Sequence, residues 1–163
     1  MGPLASAAAL QRVQGYVDAG VREGARLVCG GRRWGEVGFF VEPTIFAGVT
    51  DDMAIAREEI FGPVMSVLSY KDDDVRDAVR RANASPYGLA ASVVGCDVGQ
   101  AVAVANALCV GTVWINSHGV FDPSACYGGA KASGIGKEYG IEGLQAYLHT
   151  KTVMIALPAQ AVV

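Results

Sequence analysis

Two acids stand directly before two large apolar residues in the stretch REEIFGPV, Arg57 to Val64. Glu59 is the member that could do chemistry. A carboxylate fixed by a rigid turn accepts charge-assisted hydrogen bonds from a vicinal diol such as a ribose. An adjacent aromatic, Phe61, can wall the flat ring that such a ribose carries. The rival reading is a strand entrance with solvated acids, because Gly62-Pro63 leads into the apolar run Val64 to Leu68. The octapeptide alone leaves both readings open.

Other chemistry is weaker. Gly134-Ile135-Gly136-Lys137 opens a candidate helix, yet a phosphate loop would need glycine at Lys131 and a hydroxyl residue at Glu138. The dinucleotide fingerprint fails where Tyr139 replaces its third glycine. These glycines read better as a loop passing closely over a core. Cys126 lies beside Tyr127-Gly128-Gly129 and would need a base or positive field to act as a nucleophile. His118 is its nearest histidine in sequence. Cys109 lies in an apolar run and reads as packing. The four cysteines form no CxxC pair and the two histidines are isolated, so no metal site is expected.

These residues need elements to position them. Leu10, Val13, Val17 and Val21 recur at helical spacing, predicting a helix from about Ser6 to Glu23 with Ser6 as its cap and Gly24 as its stop. Leu27-Val28-Cys29, Phe39-Phe40-Val41 and Thr44-Ile45-Phe46 read as extended. Asp72, Asp73 and Asp74 precede a second helix with Val75, Ala78, Val79 and Ala82 on one face and arginines at its far end, which suits the helix dipole. Leu89 to Val94 reads as a buried strand, Asp97 opens a third helix, and Gly111 to Ile115 forms another strand. A long loop, Ser117 to Gly136, precedes a last helix, Glu138 to Leu148, and a last strand, Thr152 to Leu157. Strands separated by such helices predict an α/β fold with a largely parallel sheet flanked by helices.

Composition removes several classes. A net charge of −3 with scattered lysines and arginines carries no basic footprint for nucleic acid. The longest apolar run, Ala101 to Ile115, includes Asn106 and is shorter than the ~18 residues a membrane span needs, so no membrane partner is expected. No charged segment followed by an apolar one opens the sequence, and sparse unpatterned thiols suit a reducing compartment. A cytoplasmic location is the expectation.

The octapeptide has company. GFFVEPTIF (Gly38 to Phe46), NASPYGLAASV (Asn83 to Val93), GTVWIN (Gly111 to Asn116) and YGGAKASGIGKEYGIEGLQAYLHTKTV (Tyr127 to Val153) occur in order around it. Together they closely resemble the C-terminal part of the NAD(P)-dependent aldehyde dehydrogenases, from Gly2 to about Ile155. The resemblance implies that Glu59 holds the nicotinamide ribose of NAD or NADP and that Phe61 packs beside the nicotinamide. It also implies that Phe121 and Tyr127 line the aldehyde-binding tunnel. Residues 1–150 would then be the C-terminal part of the catalytic domain, and 151–163 an oligomerisation strand and tail.

The chain also departs from that family. Cys126-Tyr127-Gly128-Gly129-Ala130-Lys131 stands where Pro-Phe-Gly-Gly-Tyr-Lys is usual, and Lys137 where arginine is common. Tyr127 brings a hydroxyl to the tunnel. The family's cofactor domain, catalytic cysteine and general-base glutamate precede the matched region, so no catalytic residue is expected here. The family reaction runs through a cysteine thiohemiacetal, hydride transfer and thioester hydrolysis. This chain would supply a cofactor cradle and a substrate wall. Its expected partners are the aldehyde and either identical copies or a longer dehydrogenase subunit. Two rivals are a non-catalytic module that assembles with a complete dehydrogenase and a thiol enzyme built on Cys126.

Overall fold

The computed structural model describes residues 1–72 and 74–156. They form two compact units, the first Met1–Pro86 and the second beginning at Tyr87. Both mix helices and strands, so the α/β class holds.

In the first unit, α1 (Ala7–Arg22) starts where Ser6 accepts a hydrogen bond from the Ala9 amide at 3.2 Å. Gly24 stops it by taking φ +93°, a conformation that costs glycine nothing. The chain returns as β1 (Arg26–Cys29), makes a short antiparallel pair from β2 (Arg33–Trp34) and β3 (Phe40–Val41), and enters β4 (Thr44–Ala47). After α2 (Ala54–Arg57) comes β5 (Val64–Val67). β4 is the centre of a three-stranded sheet, antiparallel to β1 and parallel to β5. The apolar stripe of α1 covers this sheet. Val13 and Phe46 are fully buried, with Leu10, Val17, Val41, Ile55 and Ile60 around them. Gly20 lets α1 approach closely, because a Cβ there would stand 3.0 Å from Ile55 and 3.1 Å from Phe46.

The third helix, α3 (Val75–Asn83), is capped by Asp74, which accepts from the Asp77 amide at 3.0 Å. Asp73, also read as part of that entrance, lies outside the described residues. Arg81 tethers α3. Its Nε donates to Asp51 at 2.7 Å and its Nη1 to the Ser69 carbonyl at 2.8 Å.

The second unit opens with β6 (Tyr87–Gly88) and β7 (Ala90–Val93), followed by α4 (Val98–Ala107), β8 (Thr112–Ile115), β9 (Ala130–Lys131) and α5 (Gly140–Gln145). β7 pairs in parallel with β8, and β6 antiparallel with β9. Asp97 caps α4 as its sequence predicts, accepting from the Gln100 amide at 3.0 Å.

Four local expectations need correction. Leu89 to Val94 is not a buried strand: β7 is only partly covered, and Leu89 and Val94 are exposed. A parallel pair is normally shielded on both faces, whereas β7 and β8 here have α4 packed against them. The last helix begins at Gly140, not Glu138, because Glu138 and Tyr127 exchange two backbone hydrogen bonds of 2.7 Å. Cys109 is exposed between α4 and β8 rather than packed. Finally, residues 151–156 carry no strand. No described strand pairs with them, and Val153, Met154 and Ile155 stand largely exposed. Leu157, the end of that expected strand, lies outside the described residues.

Candidate functional site

The sequence REEIFGPV folds into a turn in which each residue has a separate task. α2 ends at Arg57, and Glu58 is already extended, at φ −114° and ψ 152°. The Tyr16 hydroxyl of α1 donates to Glu58 Oε2 at 2.8 Å, so the first acid ties the turn to α1. Ile60 anchors the turn in the core. Glu59 is exposed and makes no hydrogen bond among the described residues. Phe61 is 74% exposed. Its backbone adopts φ +53°, a left-handed conformation unusual outside glycine. Gly62 then passes against α1, where a Cβ would lie 2.6 Å from Val13 Cγ2. The Pro63 carbonyl accepts from the Thr44 amide at 2.9 Å, which delivers the chain to β5 beside β4.

A free carboxylate and an open aromatic face are thus held two residues apart on a pinned turn. Such an acceptor suits the hydroxyls of a vicinal diol such as a ribose. The carboxylate can accept from hydroxyl groups, and the apolar ring offers a flat surface. Both side chains are exposed.

The second unit builds an aromatic row. Trp114 in β8 meets Phe121 edge-on at 5.6 Å between ring centroids, with the planes at 84°. Phe121 meets Tyr127 at 5.0 Å and 81°. The loop between them is shaped locally. Trp114 Nε1 donates to the Val120 carbonyl at 2.7 Å. Asp122 accepts from both the amide and the hydroxyl of Ser124, at 2.8 and 2.7 Å. Those bonds, the amide first and the hydroxyl second, hold the Asp122 carboxyl below the usual carboxylate range. Close glycine packing carries the far side of the loop, since a Cβ on Gly111 would stand 1.6 Å from the Gly128 carbonyl. Lys137 closes it by donating from Nζ to the Gly129 carbonyl at 2.8 Å.

The row brings together two of the residues picked from sequence, Phe121 and Tyr127. It adds three that sequence reasoning missed as a group: Trp114, His118 and Ser92. His118 lies edge-on to Trp114 at 5.4 Å, and its Nδ1 is 2.8 Å from Ser92 Oγ. The alternation in GTVWIN could have flagged Trp114, which shares a strand face with Thr112. Ser92 carries no local signal, because its partner is 26 residues away. His118 is engaged with Ser92, and the exposed Cys126 thiol makes no hydrogen bond among the described residues. Among the described residues no group of His, Cys, Asp and Glu could hold a metal ion, and no helix is long and apolar enough to cross a membrane.

Residues 1–153 match the aldehyde dehydrogenase family, and the chain belongs to that family. It is 45% identical over 157 residues to aldehyde dehydrogenase 1A1 of Gallus gallus, covering 96% of this chain and 30% of that protein. The same identity and coverage relate it to mitochondrial aldehyde dehydrogenase of Homo sapiens. Among solved structures, the NAD+ complex of aldehyde dehydrogenase from Bacillus cereus superposes with a TM-score of 0.91 at 45% identity, covering 97% of this chain and 32% of that one. The Mycobacterium tuberculosis aldehyde dehydrogenase complexed with NAD+ gives 0.89 at 45% identity, covering 100% and 33%. The chain therefore spans about a third of the length of the relatives it matches.

Proposed function

We propose that this chain is the C-terminal part of the catalytic domain of an NAD(P)-dependent aldehyde dehydrogenase. In that enzyme an aldehyde is oxidised to a carboxylic acid. The observation that carries the reading is the family match over residues 1–153, at a coverage of only 30% of the first relative. Glu59 would hold the ribose hydroxyls of NAD or NADP, and Phe61 would set the cofactor's ring. When bound, that cofactor supplies the hydride acceptor. Phe121 and Tyr127 would line the path of the aldehyde, and their apolar faces exclude water from it. The covalent nucleophile and the dinucleotide-binding domain belong to sequence outside this segment. None of the four cysteines is paired in a disulfide, which suits a reducing compartment such as the cytoplasm.

A second reading is favoured by one observation. Val153, Met154 and Ile155 are 69%, 90% and 77% exposed, an apolar tail segment able to pair with another chain. In that reading the chain is a non-catalytic module on a longer dehydrogenase subunit, or joins a homo-oligomer through residues 151–163. Assaying the isolated chain and the complete enzyme that carries it side by side tests both. The isolated chain should oxidise no aldehyde with NAD+ or NADP+, whereas the complete enzyme should. Turnover by the isolated chain that is lost on mutating Cys126 would overturn the proposal.

A further inference from the structure

Within the aromatic row the Tyr127 hydroxyl and His118 Nε2 make no hydrogen bond among the described residues, and the hydroxyl points to a substrate class. The Trp114 N–H is used by Val120, and Ser92 occupies His118 Nδ1. Tyr127 makes no side-chain hydrogen bond among the described residues. The one buried side-chain polar atom left without a partner there is Thr112 Oγ1, so the Tyr127 hydroxyl reaches open space.

Its base is rigid. The Tyr127 amide and carbonyl each bond to Glu138 at 2.7 Å, and Phe121 braces the ring at 5.0 Å. Gly128 follows with its backbone against the Gly136 carbonyl, where a Cβ would stand at 2.4 Å. The hydroxyl is therefore carried on a fixed backbone at the end of a series of perpendicular rings, not on a mobile loop tip. Edge-to-face rings spaced at 5.0 and 5.6 Å accept another flat ring in the same pattern. A phenolic hydroxyl both donates and accepts, so it pairs well with another hydroxyl.

We infer that the row is built to receive an aromatic aldehyde bearing a ring hydroxyl, with Tyr127 as the residue that selects the hydroxyl. This rests on the reading of the chain as an aldehyde dehydrogenase segment. A solvent-accessible neutral hydrogen bond favours the hydroxylated ligand by about three- to tenfold.

The test separates binding from turnover. Calorimetry on the complete enzyme compares 4-hydroxybenzamide with benzamide, neither of which can be oxidised as an aldehyde. The wild type should bind the hydroxylated amide about three- to tenfold tighter than benzamide, and Tyr127→Phe should lose that preference. Equal binding by the wild type, binding of neither amide, or a preference that survives Tyr127→Phe each overturns the inference. Oxidation of benzaldehyde with NAD+ or NADP+ is measured separately. Failure there counts against the dehydrogenase reading and leaves the binding result to decide the role of Tyr127.

Discussion

Replacing Gly62 with alanine isolates the link between core and site. The added Cβ would stand 2.6 Å from Val13 Cγ2, 3.1 Å from Cγ1 and 3.4 Å from Cβ. Val13 cannot retreat, because it is fully buried in α1 and a helical valine has essentially one side-chain rotamer. Rotation would only exchange one γ carbon for the other in the path. Overpacking of this kind costs about 1–3 kcal/mol. For a chain of this length, 2 kcal/mol corresponds to about 4–8 °C in melting temperature. The strain falls on the turn that carries Glu59 and Phe61, so cofactor affinity should weaken together with stability. Thermal unfolding followed by circular dichroism reads the first effect, and titration of the complete enzyme with NAD+ the second. A double variant with Val13→Ala should be less destabilised than the sum of the singles, since the clashing carbons are gone. Additive losses, or a melting temperature within about 1 °C of wild type, would refute the contact.

Three further outcomes follow from the same geometry. Glu59→Gln should leave the melting temperature unchanged, because Glu59 bonds to no described residue. It should weaken cofactor binding by about 1–3 kcal/mol through loss of charge, as read by NAD+ titration. The Asp122 carboxyl is held below the usual carboxylate range, so its contribution is present above about pH 3.9 and lost as pH falls through the lowered folded value. Amide exchange at Ser124 should accelerate across that acid window in the wild type and be fast throughout in Asp122→Ala. Replacing Met154 with lysine should reduce self-association of the isolated chain, measured by sedimentation, because the apolar tail segment is open.

Helix starts were readable because their signals are local. Ser6, Asp74 and Asp97 each cap a helix with a side chain three residues from the amide it accepts from. Strand burial was not readable, because it depends on which layers cover the sheet, and Leu89 and Val94 look like core residues in any window. The start of the last helix also escaped. Only the pairing of Tyr127 with Glu138 shows that Glu138 belongs to an isolated antiparallel bridge. At the candidate site, the octapeptide raised Glu59 and Phe61 as candidates but left a solvated strand entrance open, and their roles came from the wider resemblance. The reason two acids occur side by side was not legible, since Tyr16 reaches Glu58 from 42 residues away. The α/β class survived all of these misses because it rests on the alternation of elements and not on their ends.

Phe61 carries two costs with no local return. Left-handed backbone on a non-glycine residue is unfavourable by about 1 kcal/mol or more, and the ring is 74% exposed to water. Under the proposed role, the ring is placed for a cofactor that comes to cover it. Phe61→Gly tests this with opposite signs on two measurements. Glycine adopts φ +53° freely and relieves the strain, while its extra freedom in the unfolded chain costs about 0.5–1 kcal/mol. Little packing is lost with a ring this exposed, so the terms nearly cancel and the melting temperature should move by less than about 2 °C. Cofactor affinity in the complete enzyme should fall several-fold, because the flat apolar surface next to Glu59 is gone. A fall in melting temperature beyond about 5 °C with unchanged NAD+ affinity would make Phe61 a structural residue, and would return Glu59 to the rank of a solvated acid at a strand entrance.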